Sequence, residues 1–190
     1  MALLHLIALL GGGAAKIGGL RFAVIGAGYS REGERLLAPD IPSSAAMDRA
    51  EQLSQLALDE FPYDTSSWTR LAYIDRLRHG HLTQTGASAL ARSYDLVAVD
   101  PNIGAWRVHF ALENWDKLPK SLKESAREEA EAMATDGSGK VKLRAALKAV
   151  RAPVGATLAA LWLQRYVANP SYPEHSTPEK AAKPGSLLKD

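Results

Sequence analysis

The sequence predicts an all-α fold, arranged as a short antiparallel helical array, on three observations. From Ser43 onward apolar residues recur at spacings of three and four, the period of a helix with one buried face, and not at the spacing of two that a strand requires. Pro62, Gly80, Pro101 and Pro119 interrupt that pattern at intervals of one helix length. The composition, 46% hydrophobic and 23% charged over 190 residues, is enough to build a core, and with no cysteine that core must hold without disulfides or thiolate metal sites.

Each element follows from its local signals. The segment Ser44 to Phe61 starts with a serine able to cap it, presents Met47, Ala50, Leu53, Ala57 and Phe61 on one face, and stops at Pro62. Asp64 or Thr65 can cap a second helix that runs to about Arg78, with Trp68, Leu71, Ala72 and Ile74 inward and His79-Gly80 as its end. A third follows Thr85, carrying Ala87, Leu90, Ala91, Tyr94, Val97 and Ala98 as an inward stripe until Pro101. The fourth spans Ile103 to Trp115, with Trp106, Phe110, Ala111 and Trp115 at core spacing. The fifth begins at Pro119 or Ser121 and buries Leu122, Ala126, Ala130 and Met133, until Asp136-Gly-Ser-Gly ends it. Glu124, Glu128, Glu129 and Glu131 read as its solvated face, with Lys120, Lys123 and Arg127 as neighbours.

The junction between the first two helices carries a more specific pattern. Ala50 and Ala57 are small residues seven apart, Pro62 closes the helix, and Trp68, Leu71 and Ala72 open the next as Trp-x2-Leu-Ala. This resembles the junction of tetratricopeptide-type helical hairpins, whose period is about 34 residues. Pro62 precedes Trp68 by six residues and Pro101 precedes Trp106 by five, and the two prolines are 39 apart, the surplus falling in the loop from His79 to Thr85. The resemblance covers residues 43–134 and departs from the pattern at Asp75, where an aromatic is expected, and at Ser93 or Tyr94, which must serve for the aromatic of the second helix. It implies an antiparallel array that holds a protein partner and performs no chemistry of its own. The stretch Ala105-Trp-Arg-Val-His-Phe-Ala-Leu-Glu-Asn-Trp-Asp-Lys-Leu-Pro119 is also similar to one in small bacterial inner-membrane proteins that carry a span before such repeats.

The chain begins with an apolar stretch, Ala2 to Tyr29, broken only by His5, Lys16 and Arg21. A membrane span needs about 20 such residues, so residues 1–30 are expected to form an N-terminal transmembrane helix that anchors the chain, single-pass, in a bacterial inner membrane. A signal peptide is disfavoured because no cation precedes Leu3. Lys16, Arg21, Arg31 and Arg35 favour a cytoplasmic C-terminal portion by the positive-inside rule, with the orientation left open. The alternative is a soluble helical adaptor whose first 30 residues pack on its core. Within the same stretch Leu20 to Gly28 imitates the first strand and turn of a dinucleotide-binding unit. However, Arg31 stands where the third glycine belongs, and no second strand follows, so Gly26 and Gly28 would serve only a degenerate nucleotide-binding protein.

Beyond Gly139 the character changes. Lys140, Lys142, Arg144, Lys148 and Arg151 alternate with Val141, Leu143, Ala146, Leu147 and Val150, so residues 139–168 are expected to hold a basic amphipathic helix and then an apolar helix after Pro153. These five cations are the candidate contact for an anionic membrane surface or an acidic partner, against the simpler reading of a terminal helix that packs on the array with a solvated basic face. The tail, residues 169–190, rich in proline and polar residues, is expected to be disordered.

Signals for chemistry are sparse. His79 and His81 lie two apart in a loop, not at the four-residue helical spacing of a zinc motif, and no nucleophile elbow or P-loop occurs. A formal charge of +2 does not point to nucleic acid. The expectation is a protein without enzymatic activity, cofactor, metal or nucleic-acid ligand. It would act as a membrane-tethered interaction or assembly factor of a bacterial envelope.

Overall fold

The computed structural model describes residues 28–37 and 42–168. Within them every regular element is helical and there is no strand, so the chain is all-α over its described length and the sheet that a Gly26/Gly28 nucleotide site requires has no strand there. A short helical segment covers residues 28–36. Then follow α1 (Ser44–Glu60), α2 (Thr65–His79), α3 (Gln84–Leu96), α4 (Gly104–Glu113), a 3-10 turn (Trp115–Lys117), α5 (Lys120–Ala134), α6 (Gly137–Ala149), α7 (Pro153–Trp162) and a wide π turn (Leu163–Val167). No helix among the described residues is long and apolar enough to cross a membrane. The expected N-terminal span, residues 1–30, falls on residues that, apart from Gly28, Tyr29 and Ser30, lie outside the described ones, as does the tail from residue 169.

The helix ends are set by the capping chemistry of the sequence. Ser43 Oγ accepts the Ala46 amide at 3.2 Å, Asp64 the Ser66 amide at 3.1 Å, Thr83 the Thr85 amide at 3.2 Å and Asp136 the Gly139 amide at 2.6 Å. Each supplies an acceptor to an amide that has no partner within its own helix. At the other end of α2, Gly80 takes φ = 72°, the left-handed conformation that ends a helix without a Cβ clash. Asp75, where the repeat pattern expects an aromatic, instead receives the Thr83 amide at 2.8 Å and its hydroxyl at 2.7 Å, tying the α2–α3 loop back onto α2.

Two apolar cores run through the array. One joins Ala72 of α2, Leu90 and Tyr94 of α3, Phe110 and Ala111 of α4, and Leu122 and Ala126 of α5. The other joins Val108 and Leu112 of α4, Met133 of α5, Leu143 and Leu147 of α6, and Trp162 and Tyr166 after them. α4 therefore faces a core on both sides, with Phe110 and Ala111 toward one and Val108 and Leu112 toward the other. α1 docks on α2 through the small and aliphatic face Ala50, Leu53, Ala57 and Leu58. Trp68 is half-buried against the first core, and its indole N–H donates to the Pro62 carbonyl at 3.0 Å.

Several expectations differ from the structure. The stretch Asp136-Gly-Ser-Gly does not end the fifth helix, which stops at Ala134; Asp136 caps α6, and the three residues after it form the first turn of that helix. Trp106, expected in the core, is partly exposed. Phe61 is exposed, in edge contact with Tyr63 instead of the core. The third helix ends at Leu96, leaving Val97 and Ala98 exposed on an extended connection, because their carbonyls are bonded by Arg107. The fourth ends at Glu113, with Trp115 in a separate 3-10 turn. Finally, Glu129 is fully buried and does not belong to a solvated acidic face.

Candidate binding groove

Helical periodicity gives α2 a stripe made of Ser66, Thr69, Arg70, Tyr73, Arg76 and Leu77, and gives α4 a facing stripe of Trp106, His109, Phe110 and Glu113. Between them lie two hollows that share Tyr73 and Trp106. The first, of about 570 Å³, is bounded by Glu34, Leu37, Thr69, Arg70, Asn102 and Ile103 as well, and the second, of about 310 Å³, by Arg76, His109, Glu113 and Asn114. Their common floor is aromatic. Trp106 stacks on Phe110 with centroids 4.8 Å apart and planes at 13°, and Tyr73 meets both edge-on, at 5.9 Å from Trp106 and 6.2 Å from Phe110. Phe110 is buried, whereas Trp106 remains 37% exposed, an aromatic surface open to the groove.

A polar knot holds the two walls together. Asp100 accepts the Thr65 hydroxyl of α2 at 3.0 Å and the amides of Asn102 and Ile103 at 2.8 and 3.3 Å, and its own amide donates to Glu129 of α5 at 3.0 Å. Arg107, wholly buried on α4, donates to both carboxylate oxygens of Glu129, from Nε at 3.0 Å and from a terminal nitrogen. Its remaining donors reach the carbonyls of Ser93, Val97 and Ala98 and the Ser93 hydroxyl, at 2.9 to 3.2 Å, which closes the open end of α3. Burial raises the Glu129 pKa above that of an ordinary glutamate, against the opposing pull of Arg107 and the Asp100 amide. The Tyr94 ring lies 4.1 Å below the Arg107 guanidinium, and its buried hydroxyl, without a hydrogen-bond partner among the described residues, has a pKa pushed well above its usual range by burial and the Glu129 charge. At the other end of α4, Arg76 Nε donates to Asn114 at 3.1 Å, and Asn114 donates to the Phe110 carbonyl at 2.8 Å.

The second buried arginine of the region, Arg70, is held differently. Only 7% exposed, it gives N–H bonds to the hydroxyls of Ser54 and Ser67 at 3.3 Å and of Ser30 at 3.1 Å, and burial lowers its pKa while the Asp64 and Glu34 charges oppose that.

The five cations singled out in the sequence lie elsewhere, on α6 and just after it. Arg144, Lys148 and Arg151 are exposed, with the Arg151 guanidinium on the Lys148 carbonyl at 3.3 Å. Lys142 donates to the Pro101 carbonyl at 2.8 Å, and Lys140 is half-buried. Of the apolar residues that alternate with them, Leu143, Leu147 and Val150 sit in the second core, so that face of the helix is covered, whereas Ala146 is half-buried and Val141 is exposed. Arg70 and Tyr73 carry no mark of the groove in the sequence, and the spacing of Trp106 is that of a core residue. The available signal was an aromatic on each of two helices at one register, but their pairing depends on the fold. In comparisons with known proteins no protein-family model matches the chain, and no curated protein or solved structure matches it significantly.

Proposed function

We propose that this chain is a non-catalytic protein-interaction module of the tetratricopeptide-like kind, holding a polypeptide segment of a partner in the groove between α2 and α4. The observation that carries this reading is the half-exposed Trp106, stacked on Phe110 and braced by Tyr73 at the meeting point of the two hollows. A rigid aromatic floor between helical walls offers much contact area at little entropic cost, and anchors of this type dominate binding energy at interfaces. The polar knot of Asp100, Arg107 and Glu129 supports the reading as well, since it spends its hydrogen bonds on fixing α2, α4 and α5 and so preorganises the groove. The Ala2–Tyr29 stretch is what supports the further proposal of a single-pass tether to a bacterial inner membrane, which makes the module an envelope assembly factor. The exposed Arg144, Lys148 and Arg151 can add electrostatic contact with an anionic membrane surface, without an apolar face to insert.

Selection of a displayed random-peptide library on the purified chain tests the groove. The expected outcome is a set of binders whose affinity falls about tenfold or more on Trp106→Ala, the scale of losing an aromatic anchor, with the melting transition kept. Binders indifferent to Trp106→Ala would move the binding surface off the groove.

A further inference from the structure

Among the buried arginines described, Arg70 stands apart in what it is bonded to. Arg107 is as deeply buried, but its charge is met by both oxygens of Glu129. Arg78, at the surface, is paired with Asp48 and Glu51. Among the described residues Arg70 has only neutral partners, the hydroxyls of Ser30, Ser54 and Ser67, while Asp64 and Glu34 act on it through space without pairing. A guanidinium carries five N–H donors, and these bonds engage only its two terminal nitrogens. Burying such a charge without a counter-ion is costly, and the cost is relieved when an anion arrives. The side chain is fixed where it stands, because the helical segment 28–36 lies over it, with the position of a Gly33 Cβ only 3.3 Å from its Cδ. Arg70 also lines the larger hollow, next to Tyr73 and Trp106.

We propose that the groove takes a polypeptide segment presenting a carboxylate to Arg70 and an aromatic or large apolar side chain to the Tyr73–Trp106 floor; this deepens the peptide-binding reading above and rests on it. Charge selects the occupant. Glu34 lines the same hollow and would repel a second negative charge, so a singly charged carboxylate fits and a doubly charged phosphoryl group does not. Geometry sets the spacing. Arg70 and Tyr73 are three residues apart on α2, about 4.5 Å along its axis, which an extended segment covers in one or two residues at about 3.3 Å each. The acidic and aromatic residues of the partner are therefore neighbours or one residue apart. The carboxylate can come from an Asp or Glu side chain or from a chain terminus, and both offer the same planar pair of oxygens to the guanidinium.

The test is fluorescence titration of the whole chain with acetylated six-residue peptides that hold one Trp and one Glu at separations of zero to three residues. Parallel series carry Gln or phosphoserine in place of Glu, and one series has no Glu but a free C-terminal acid. The Glu peptides with the short separations are expected to bind about tenfold more tightly than their Gln counterparts, the loss that follows removal of a charge-assisted hydrogen bond. That preference is expected to vanish in Arg70→Gln. It is expected to grow in Glu34→Gln, an exposed position whose substitution does not threaten the fold. Comparable binding by the free-acid series would support the proposal and identify a chain terminus as a source of the carboxylate. Equal binding of Glu and Gln peptides that still depends on Trp106 would overturn the carboxylate assignment and leave the peptide groove standing. Tighter binding of phosphoserine than of Glu would also overturn it. Failure of every peptide to bind would remove the groove reading itself.

Discussion

A guanidinium and a carboxylate withdrawn from water lose several kcal/mol of hydration each, and only dense hydrogen bonding makes their burial tolerable. Arg107 and Glu129 meet that condition. Each group is wholly buried, the two are bonded through both carboxylate oxygens, and the arginine also closes the end of α3. Glu129→Ala would strand the cation and leave the Asp100 amide without its acceptor, so a loss of about 3 to 5 kcal/mol is expected in a denaturant melt. The double change Arg107→Met with Glu129→Leu should recover only part of it, since an apolar pair leaves no charge unpaired but still leaves the Asp100 amide and the carbonyls at the end of α3 without their partners. A loss below about 1 kcal/mol for Glu129→Ala would be typical of an exposed ion pair and would contradict the burial. The position of Glu129 was legible in principle. Leu122, Ala126, Glu129 and Met133 follow one another at steps of four, three and four, so Glu129 stands on the buried stripe itself. Reading it with Glu124, Glu128 and Glu131 as one acidic face ignored the helical period in favour of composition. Arg70 offered no such signal, because what sets it apart is the set of hydroxyls on three separate segments that surround it.

Elements were legible where their ends are written in side chains. A serine and Asp64 start the first two helices as their chemistry dictates, and Gly80 stops one, whereas Thr83 and not Thr85 caps α3, and Asp136 opens α6 instead of ending α5. The end of α3 was not legible, because a partner from another helix, Arg107, sets it. The contact of α7 with α4 is likewise fixed by a residue whose role only packing reveals. Gly155 lies against the Leu112 carbonyl so closely that a methyl group there would collide with backbone, and it would also sit 3.2 Å from Val150 Cγ1. Helix propensity alone favours alanine over glycine by about 1 kcal/mol. Overpacking against an unyielding carbonyl costs about 1 to 3 kcal/mol or more, so Gly155→Ala is expected to lower the denaturation midpoint. Gly137, at the start of α6, has nothing within 4 Å of the position a Cβ would take, and Gly137→Ala is expected to be neutral or slightly stabilising. Equal effects of the two substitutions would show that α7 is not seated on α4 as described.

At the scale of the whole molecule the helical array is continuous in sequence, but its groove is not. Tyr73 and Trp106 belong to different helical hairpins, and no local pattern joins them, which is why the sequence conveyed the scaffold better than the surface it presents. The same arrangement governs how the array comes apart. In a linear helical array each unit stabilises only its neighbours, and the ends can open alone. Here α4 contributes Phe110 and Ala111 to one core and Val108 and Leu112 to the other, while α1 has its main packing contact with α2. Leu112→Ala removes a fully buried side chain and is expected to cost about 2 to 5 kcal/mol, although Leu112 itself lies in the second core. If α4 couples the two cores, native-state hydrogen exchange should then quicken for the amides of α2 and α3 by the same factor as for those of α6 and α7. The α1 amides, which can open without disturbing α4, should change less. Faster exchange confined to α6 and α7 would mean that the two cores unfold separately, and the groove, with one wall on α2 and the other on α4, would then lack the rigidity that peptide binding requires.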